Sequence, residues 1–143
     1  AERALSAYPG LVVAAVNSAR DVTIAGPVNQ LKSLGEELTA REVFFRLMDL
    51  DYAFHSPVME RVRAPLAVGL EGLAPSRSTE ALISTVTGGP VPASGLDAEY
   101  WWRNVREPVR FAAAVGHALD AGVDVLLEVG PHPVLRTYLR RIT

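Results

Sequence analysis

The segment Tyr52-Ala53-Phe54-His55-Ser56-Pro57 constrains this chain more than any other. It closes an apolar run (Val43, Phe44, Phe45, Leu47 and Leu50) whose composition predicts a strand over 43–51. It opens a stretch in which Val58, Val62, Leu66 and Leu70 recur every four residues, the spacing of a helix face. Ser56 is a good N-cap and Pro57 a good first helical residue. His55 therefore falls at a strand-to-helix junction, with its backbone held from both sides. An imidazole so placed can lean over a cleft, and histidine is suited to moving protons near neutral pH. Taken alone, a junction histidine more often caps or packs. Its meaning depends on the other motifs.

Before this junction, residues 1–7 read as the tail of a helix stopped by Tyr8-Pro9-Gly10, without a starting Met, as though the chain begins inside a larger protein. Residues 11–16 form a valine-rich apolar run suited to a buried strand, and residues 22–25 a second strand stopped by Gly26-Pro27. The short link between them predicts an antiparallel hairpin. Leu31, Leu34 and Leu38 then mark a helix over 28–42. With the strand over 43–51, the order is helix, strand, strand, helix, strand. One more strand in front makes it the βαββαβ ferredoxin-like order. After Ser56 the rhythm changes. A helix kinked or split by Pro65 leads to a loop over 72–79 and a short strand over 81–86. A short aromatic helix over 98–104 comes next. Pro108 then opens a helix with Val109, Ala112, Ala113, Ala114, Val115 and Leu119 inside, stopped by Gly122. A buried strand over 123–129, the turn Gly130-Pro131-His132-Pro133 and a last helix over 134–141 complete a layered α/β pattern.

Composition narrows the classes. Nearly half of the 143 residues are hydrophobic, 49%, enough for a real core. The 14 Lys+Arg balance 16 Asp+Glu, against a nucleic-acid or membrane-surface binder. With no cysteine there is no disulfide, thiolate metal site or cysteine nucleophile, and a cytoplasmic setting is compatible. The three histidines show no metal-ligand spacing. No apolar run approaches the ~18 residues of a membrane span.

Five motifs occur in order: VNSARDVTIAG at 16–26, YAFHSPVM at 52–59, STVTGG at 84–89, YWWRNVREPVRF at 100–111 and EVGPHPVL at 128–135. Together they closely resemble the C-terminal half of the acyltransferase domain of modular polyketide synthases, which is similar to malonyl-CoA:acyl-carrier-protein transacylases. The resemblance runs over almost the whole chain. It implies a division into most of a ferredoxin-like small subdomain (1–52) and the C-terminal part of an α/β-hydrolase-like large subdomain (53–143).

The resemblance also implies a mechanism. A serine attacks the thioester of an acyl-CoA and holds the acyl group as an ester. The phosphopantetheine thiol of an acyl carrier protein then takes it, and a histidine is the base for both attacks. No cofactor is bound, acyl-CoA being the substrate and phosphopantetheine the acceptor. His55 matches the histidine. Asn104 matches the residue whose main-chain carbonyl orients that imidazole, so one ring nitrogen is expected to face the carbonyl of Asn104 or an immediate neighbour, although as a residue type Asn104 also suits a helix C-cap. Asn17 matches an asparagine at the mouth of the site, although it also suits a plain turn. The family nucleophile sits in a Gly-His-Ser-x-Gly elbow, and no serine here has glycines two residues before and after it. The serine, the arginine that pairs with the extender carboxylate and an oxyanion-hole segment are expected from an N-terminal half of the domain, which becomes a partner along with neighbouring synthase domains.

Residues 52–55 bear on the acyl group. In the family, Tyr-Ala-Ser-His resembles methylmalonyl users and His-Ala-Phe-His malonyl users. Tyr-Ala-Phe-His is a hybrid, with Phe54 favouring malonyl by crowding an α-methyl branch and Tyr52 pulling the other way. His117 reads as a solvated or packed residue and His132 as a cap. Arg136, Arg140 and Arg141 read as an ordinary helix end or as a face that steers CoA phosphates or an acidic carrier protein. A reading of a different class is a non-catalytic module that keeps this fold and docks a carrier protein or neighbouring domain.

Overall fold

The computed structural model describes residues 2–143, the side chains of residues 2 and 3 excepted. Helix α1 (Glu2–Leu5) stops in turns closed by the Tyr8 and Leu11 amides. Strand β1 (Val12–Val16) then pairs antiparallel with β2 (Val22–Ala25), as the short link predicts. Val13 pairs with Ile24 and Ala15 with Thr23, so Ala14 is an extra residue in β1. This is a bulge, and it frees a carbonyl from the hairpin ladder. Ala14 is buried, and its carbonyl accepts the Val109 amide at 2.9 Å. Gly26 leaves the hairpin at φ +153°, where a Cβ would stand 2.4 Å from the Gly10 carbonyl oxygen, so only glycine fits.

Helix α2 (Val28–Ala40) buries Leu34 to 1% exposure. Gly35 beside it lets the Phe45 ring approach so closely that a Cβ would lie 2.5 Å from its Cε1. Residues 43–51 thus lean on α2 through Phe45, but they form no strand, contrary to the pattern. A strand exists only by pairing, and no described residue offers this segment a ladder. Phe44 is 87% exposed and Leu50 63%. Residues 123–129 depart from expectation in the same way. They pair with no strand, and Leu127 and Val129 are 84% and 90% exposed. The βαββαβ order is therefore represented among the described residues by α1, one hairpin and α2.

After the junction the helix is split, as Pro65 requires. A 3-10 helix (Pro57–Val62) gives way to α3 (Arg63–Gly69), with Pro65 in the first turn of α3. There its missing N–H has no intrahelical partner to lose. The Ser56 side chain accepts the Val58 amide, the cap read from the sequence. The expected strand over 81–86 shrinks to β3 (Ile83–Ser84), which pairs with β4 (Gly89–Pro90) across the Thr87-Gly88 turn.

Helix α4 (Ala98–Arg106) starts at Asp97, whose carboxylate caps the Tyr100 amide at 2.8 Å. Tyr100 and Trp102 are buried. The Tyr100 hydroxyl meets Ser84 Oγ at 2.7 Å, and the Arg63 guanidinium lies 5.3 Å from the Trp102 ring centroid. Arg106 pairs with Glu60 at 2.9 Å, so α4 is fastened to β3 on one side and to the 3-10 helix and α3 on the other. Pro108 does not open the next helix. Residues 108–110 run beside β1, with Val109 bridging Ala15 in parallel, and α5 begins later (Phe111–Asp120). Gly122, at φ +89°, follows its end. The α/β class holds, but the sheets among the described residues are two short hairpins.

The last helix, α6 (Arg136–Ile142), is tied back to the hairpin. Ser18, 2% exposed, donates its hydroxyl to the Asp21 carboxylate, and Arg141 pairs with the same carboxylate. The Ser18 hydrogen bond and then the Arg141 guanidinium hold the Asp21 carboxyl below its ordinary 3.8. A lowered folded-state pKa stabilises the fold fully above the unfolded value, and this stabilisation is lost as pH falls through the folded value. Asp21→Asn is therefore expected to lower the urea midpoint at about pH 6, with the gap from the unsubstituted chain closing below roughly pH 4. A gap of constant size across that range contradicts the assignment.

Candidate active site

His55 occupies a turn, not a strand end. Its φ is +57°, in the left-handed region that few non-glycine residues adopt. The turn closes around it when Ser56 Oγ donates to the Ala53 carbonyl at 2.6 Å, and Ser56 is 1% exposed. A left-handed residue costs on the order of 1–3 kcal/mol and persists where the surroundings over-determine it. Here they do so by two bonds to one neighbouring segment. The His55 amide donates to the Val105 carbonyl at 3.1 Å, and ring Nδ1 meets the Glu107 carbonyl at 2.8 Å.

The second bond fixes the chemistry of the ring. A carbonyl oxygen only accepts, so Nδ1 carries the hydrogen and Nε2 of the neutral imidazole keeps its lone pair. A half-buried imidazole held this way can accept a proton at Nε2 from one defined direction. The orienting carbonyl is that of Glu107, not of Asn104. Asn104 lies within α4 and is half-buried there, whereas the helix ends at Arg106 and the first carbonyl to leave its axis is Glu107's. The carbonyl next to Asn104, that of Val105, takes the His55 main chain instead.

Phe54 lies beside the imidazole, and Tyr52 lies beside Phe54. The Phe54 ring centroid is 6.4 Å from that of His55 and 5.6 Å from that of Tyr52. Phe54 is 46% exposed and Tyr52 60%, so neither is a core residue in this chain. Asn17 follows β1 directly. Its amide donates to the Asp21 carbonyl at 2.9 Å, and its Nδ2 donates to Thr23 Oγ1 at 3.1 Å. It is a turn residue that spends its side chain on the hairpin. It also adjoins the passage that holds His55, because Val16 before it donates to the Val109 carbonyl at 2.8 Å.

Three residues that hold the site escaped the sequence reading: Val105, Glu107 and Val109, all of which act through the main chain. The available signal was the Glu107-Pro108 dipeptide, since a residue before proline is pushed out of the helical region. Other candidates separate from the site. His117 is exposed on α5. His132 is exposed too, and the start of α6 is capped by Glu128, whose carboxylate accepts the Val134 and Leu135 amides at 2.8 and 3.1 Å. Arg141 is committed to Asp21, which leaves Arg136 and Arg140 as the exposed basic pair on α6.

Comparison with known proteins bears on this geometry. The family model described as "Acyl transferase domain" matches residues 1–142. Erythronolide synthase EryA2 of Saccharopolyspora erythraea is 42% identical over 125 residues, covering 87% of this chain and 4% of that protein. Mycoketide-CoA synthase of Mycobacterium tuberculosis is 40% identical over 125 residues, covering 87% and 3% respectively. The acyltransferase domain from module 8 of the salinomycin polyketide synthase superposes with a TM-score of 0.92 at 36% identity, over 98% of this chain and 33% of that one. The chain thus spans a few per cent of these curated relatives and about a third of the matched structure. No described helix is long and apolar enough to cross a membrane. On this evidence the chain belongs to the acyl transferase domain family of modular polyketide synthases.

Proposed function

We propose that this chain supplies the base and one pocket wall of an enzyme that moves an extender acyl group from CoA to the phosphopantetheine thiol of an acyl carrier protein. One observation carries the reading: His55 gives Nδ1–H to a carbonyl and keeps Nε2 as a directed base. In the first half-reaction, Nε2 takes the proton of a serine hydroxyl as its oxygen attacks the thioester carbonyl. The CoA thiolate leaves with that proton, and the acyl group stays on the serine as an ester. In the second, Nε2 takes the proton of the carrier thiol as its sulfur attacks the ester. The serine oxygen recovers the proton and the acyl thioester departs.

The serine belongs to an elbow that this sequence does not contain, and so comes from further polypeptide. The apolar side chains left exposed over 43–50 and 123–129 support such a partner, since exposed apolar surface on this scale marks an interface. On this reading 1–52 is most of a ferredoxin-like subdomain and 53–143 part of an α/β-hydrolase-like one, in a cytoplasmic synthase. Asn104 contributes the helix end that presents Val105 and Glu107, and Asn17 the turn beside it. The exposed Phe54 ring, next to the imidazole, supports a place in the extender pocket, with malonyl favoured over methylmalonyl.

Three experiments test this reading. Incubated with malonyl-CoA, the chain alone is expected to show no acyl adduct by intact mass, and co-expression with the N-terminal half of the domain is expected to restore loading. A stable adduct on a serine of this chain refutes the division of labour. In the intact domain, His55→Ala is expected to slow acyl transfer by ~10²–10⁴-fold with the fold retained. Transfer at the normal rate by a folded variant ends the role of base. Phe54→Ser is expected to move competitive loading toward methylmalonyl-CoA by ~10-fold or more, within the ~10–200-fold that one methyl discriminates. An unchanged ratio at full loading rate removes Phe54 as the selector, and an unsubstituted domain that already prefers methylmalonyl-CoA makes Tyr52 the better guide.

A further inference from the structure

The hydrogen bond that directs His55 depends on a main-chain carbonyl, so the cause of that carbonyl's direction is itself part of the site. The Glu107 amide still closes the last turn of α4, donating to the Arg103 carbonyl at 2.8 Å. Its φ is −84°, near the helical value, but its ψ is 157°. Relative to a helical ψ of about −42°, this swings the carbonyl by roughly 160° away from the helix axis. Residue 107 is therefore half in the helix and half out, and its outward half is the acceptor of His55 Nδ1–H.

Local sequence offers one cause for this break. No glycine or asparagine, the usual helix stops, follows Arg106. Pro108 does follow, and its ring clashes with the helical conformation of the residue before it, forcing ψ toward +120 to +160°. We propose that Pro108 is a positioning residue for the imidazole. By excluding the helical conformation at Glu107, it stops α4 and turns the Glu107 carbonyl onto His55 Nδ1–H, which holds Nε2 free as the base. The pairing of Val109 with β1 fixes the far side of the segment, its amide on the Ala14 carbonyl at 2.9 Å and its carbonyl on the Val16 amide at 2.8 Å. That pairing begins one residue too late to set ψ at 107. The catalytic part of the inference rests on the function proposed above, while the structural part does not.

The test uses the intact acyltransferase domain labelled with ¹⁵N-histidine. Two-bond ¹H–¹⁵N correlation at a pH where the ring is neutral reports the tautomer, and the His55 signals are identified by their loss in His55→Gln. The unsubstituted domain is expected to show Nδ1 protonated and Nε2 bare. Pro108→Ala is expected to convert His55 to a mixture of tautomers while the backbone amide pattern of the domain persists. The same variant is expected to lose roughly 10- to 100-fold in kcat with KM within about twofold, the signature of a misdirected group and not of lost binding. Pro108→Val keeps residue 108 extended through its β-branch but lifts the restriction on Glu107. It is the second variant should the alanine form fail to fold, and it is expected to behave alike. An Nε2–H tautomer in the unsubstituted domain, or folded variants whose His55 stays in the Nδ1–H form with kcat unchanged, overturns the proposal. If the unsubstituted domain transfers no acyl group, the functional reading falls and the tautomer alone decides the positioning claim.

Discussion

The passage from Val105, in the last turn of α4, to Arg110 is the part of this molecule on which the remainder depends. Its carbonyls at 105 and 107 hold the main chain and the ring of His55, Val109 pairs on both its polar groups with β1, and the Arg110 amide donates to the Thr85 carbonyl at 2.7 Å. One short segment thereby satisfies the loop that carries the imidazole, the hairpin of the first fifty residues and the β3–β4 turn. The bulge at Ala14 has its purpose here, because it releases the carbonyl that Val109 needs. Helix α4 fixes the origin of the segment through Trp102, Tyr100 and Arg106. Packing thus sets the helix and the helix sets the segment, which in turn directs the ring.

Local signals in the sequence were legible where the cause was local. The leucine spacing of α2, the Ser56-Pro57 start, the break imposed by Pro65 and the stop at Gly122 all depend on a few adjacent residues, and all are present. Pairing was not legible, because a strand is a relation between two segments. Residues 43–51 and 123–129 have strand composition and no partner among the described residues. Val109, counted as the inner face of a helix, is a ladder residue against β1. The site followed the same rule. His55 stood out by its type and by the motifs around it, although the strand expected before it is absent. Its orienting group was displaced from Asn104 to Glu107, because a main-chain carbonyl leaves no mark on residue identity.

The two unpaired apolar segments bear on what this chain is for. A stable fold does not leave Phe44, Leu127 and Val129 in water unless something else covers them, since burying each such side chain is worth about 1.5–3 kcal/mol. One face of the 123–129 segment is wholly apolar, with Val125 76%, Leu127 84% and Val129 90% exposed, whereas the other carries Asp124 and Glu128 on either side of Leu126. That alternation leaves one apolar face without cover in this chain. It agrees in size with a chain that spans 33% of a matched acyltransferase domain. The self-sufficient part is the network around residues 105–110, which holds the imidazole without help from those segments.

Orientation by a carbonyl also has a consequence for the charge of the substrate on the proposed reading. Histidine bases are often directed by an aspartate, which holds the tautomer and stabilises the imidazolium. An extender with a free carboxylate would meet that aspartate as a like charge. At ~8 Å and an effective dielectric of ~20, the repulsion is about 2 kcal/mol, more than a factor of ten in binding. A neutral carbonyl fixes the same tautomer without adding this charge. Its weakness is that a carbonyl cannot reorient independently of the chain, so the direction of the ring is only as exact as the backbone that carries it. This accounts for the concentration of constraints in so few residues: a left-handed His55, a closed turn at Ser56, a proline after Glu107 and a two-sided pairing at Val109. Each removes a backbone freedom that an aspartate side chain would have tolerated.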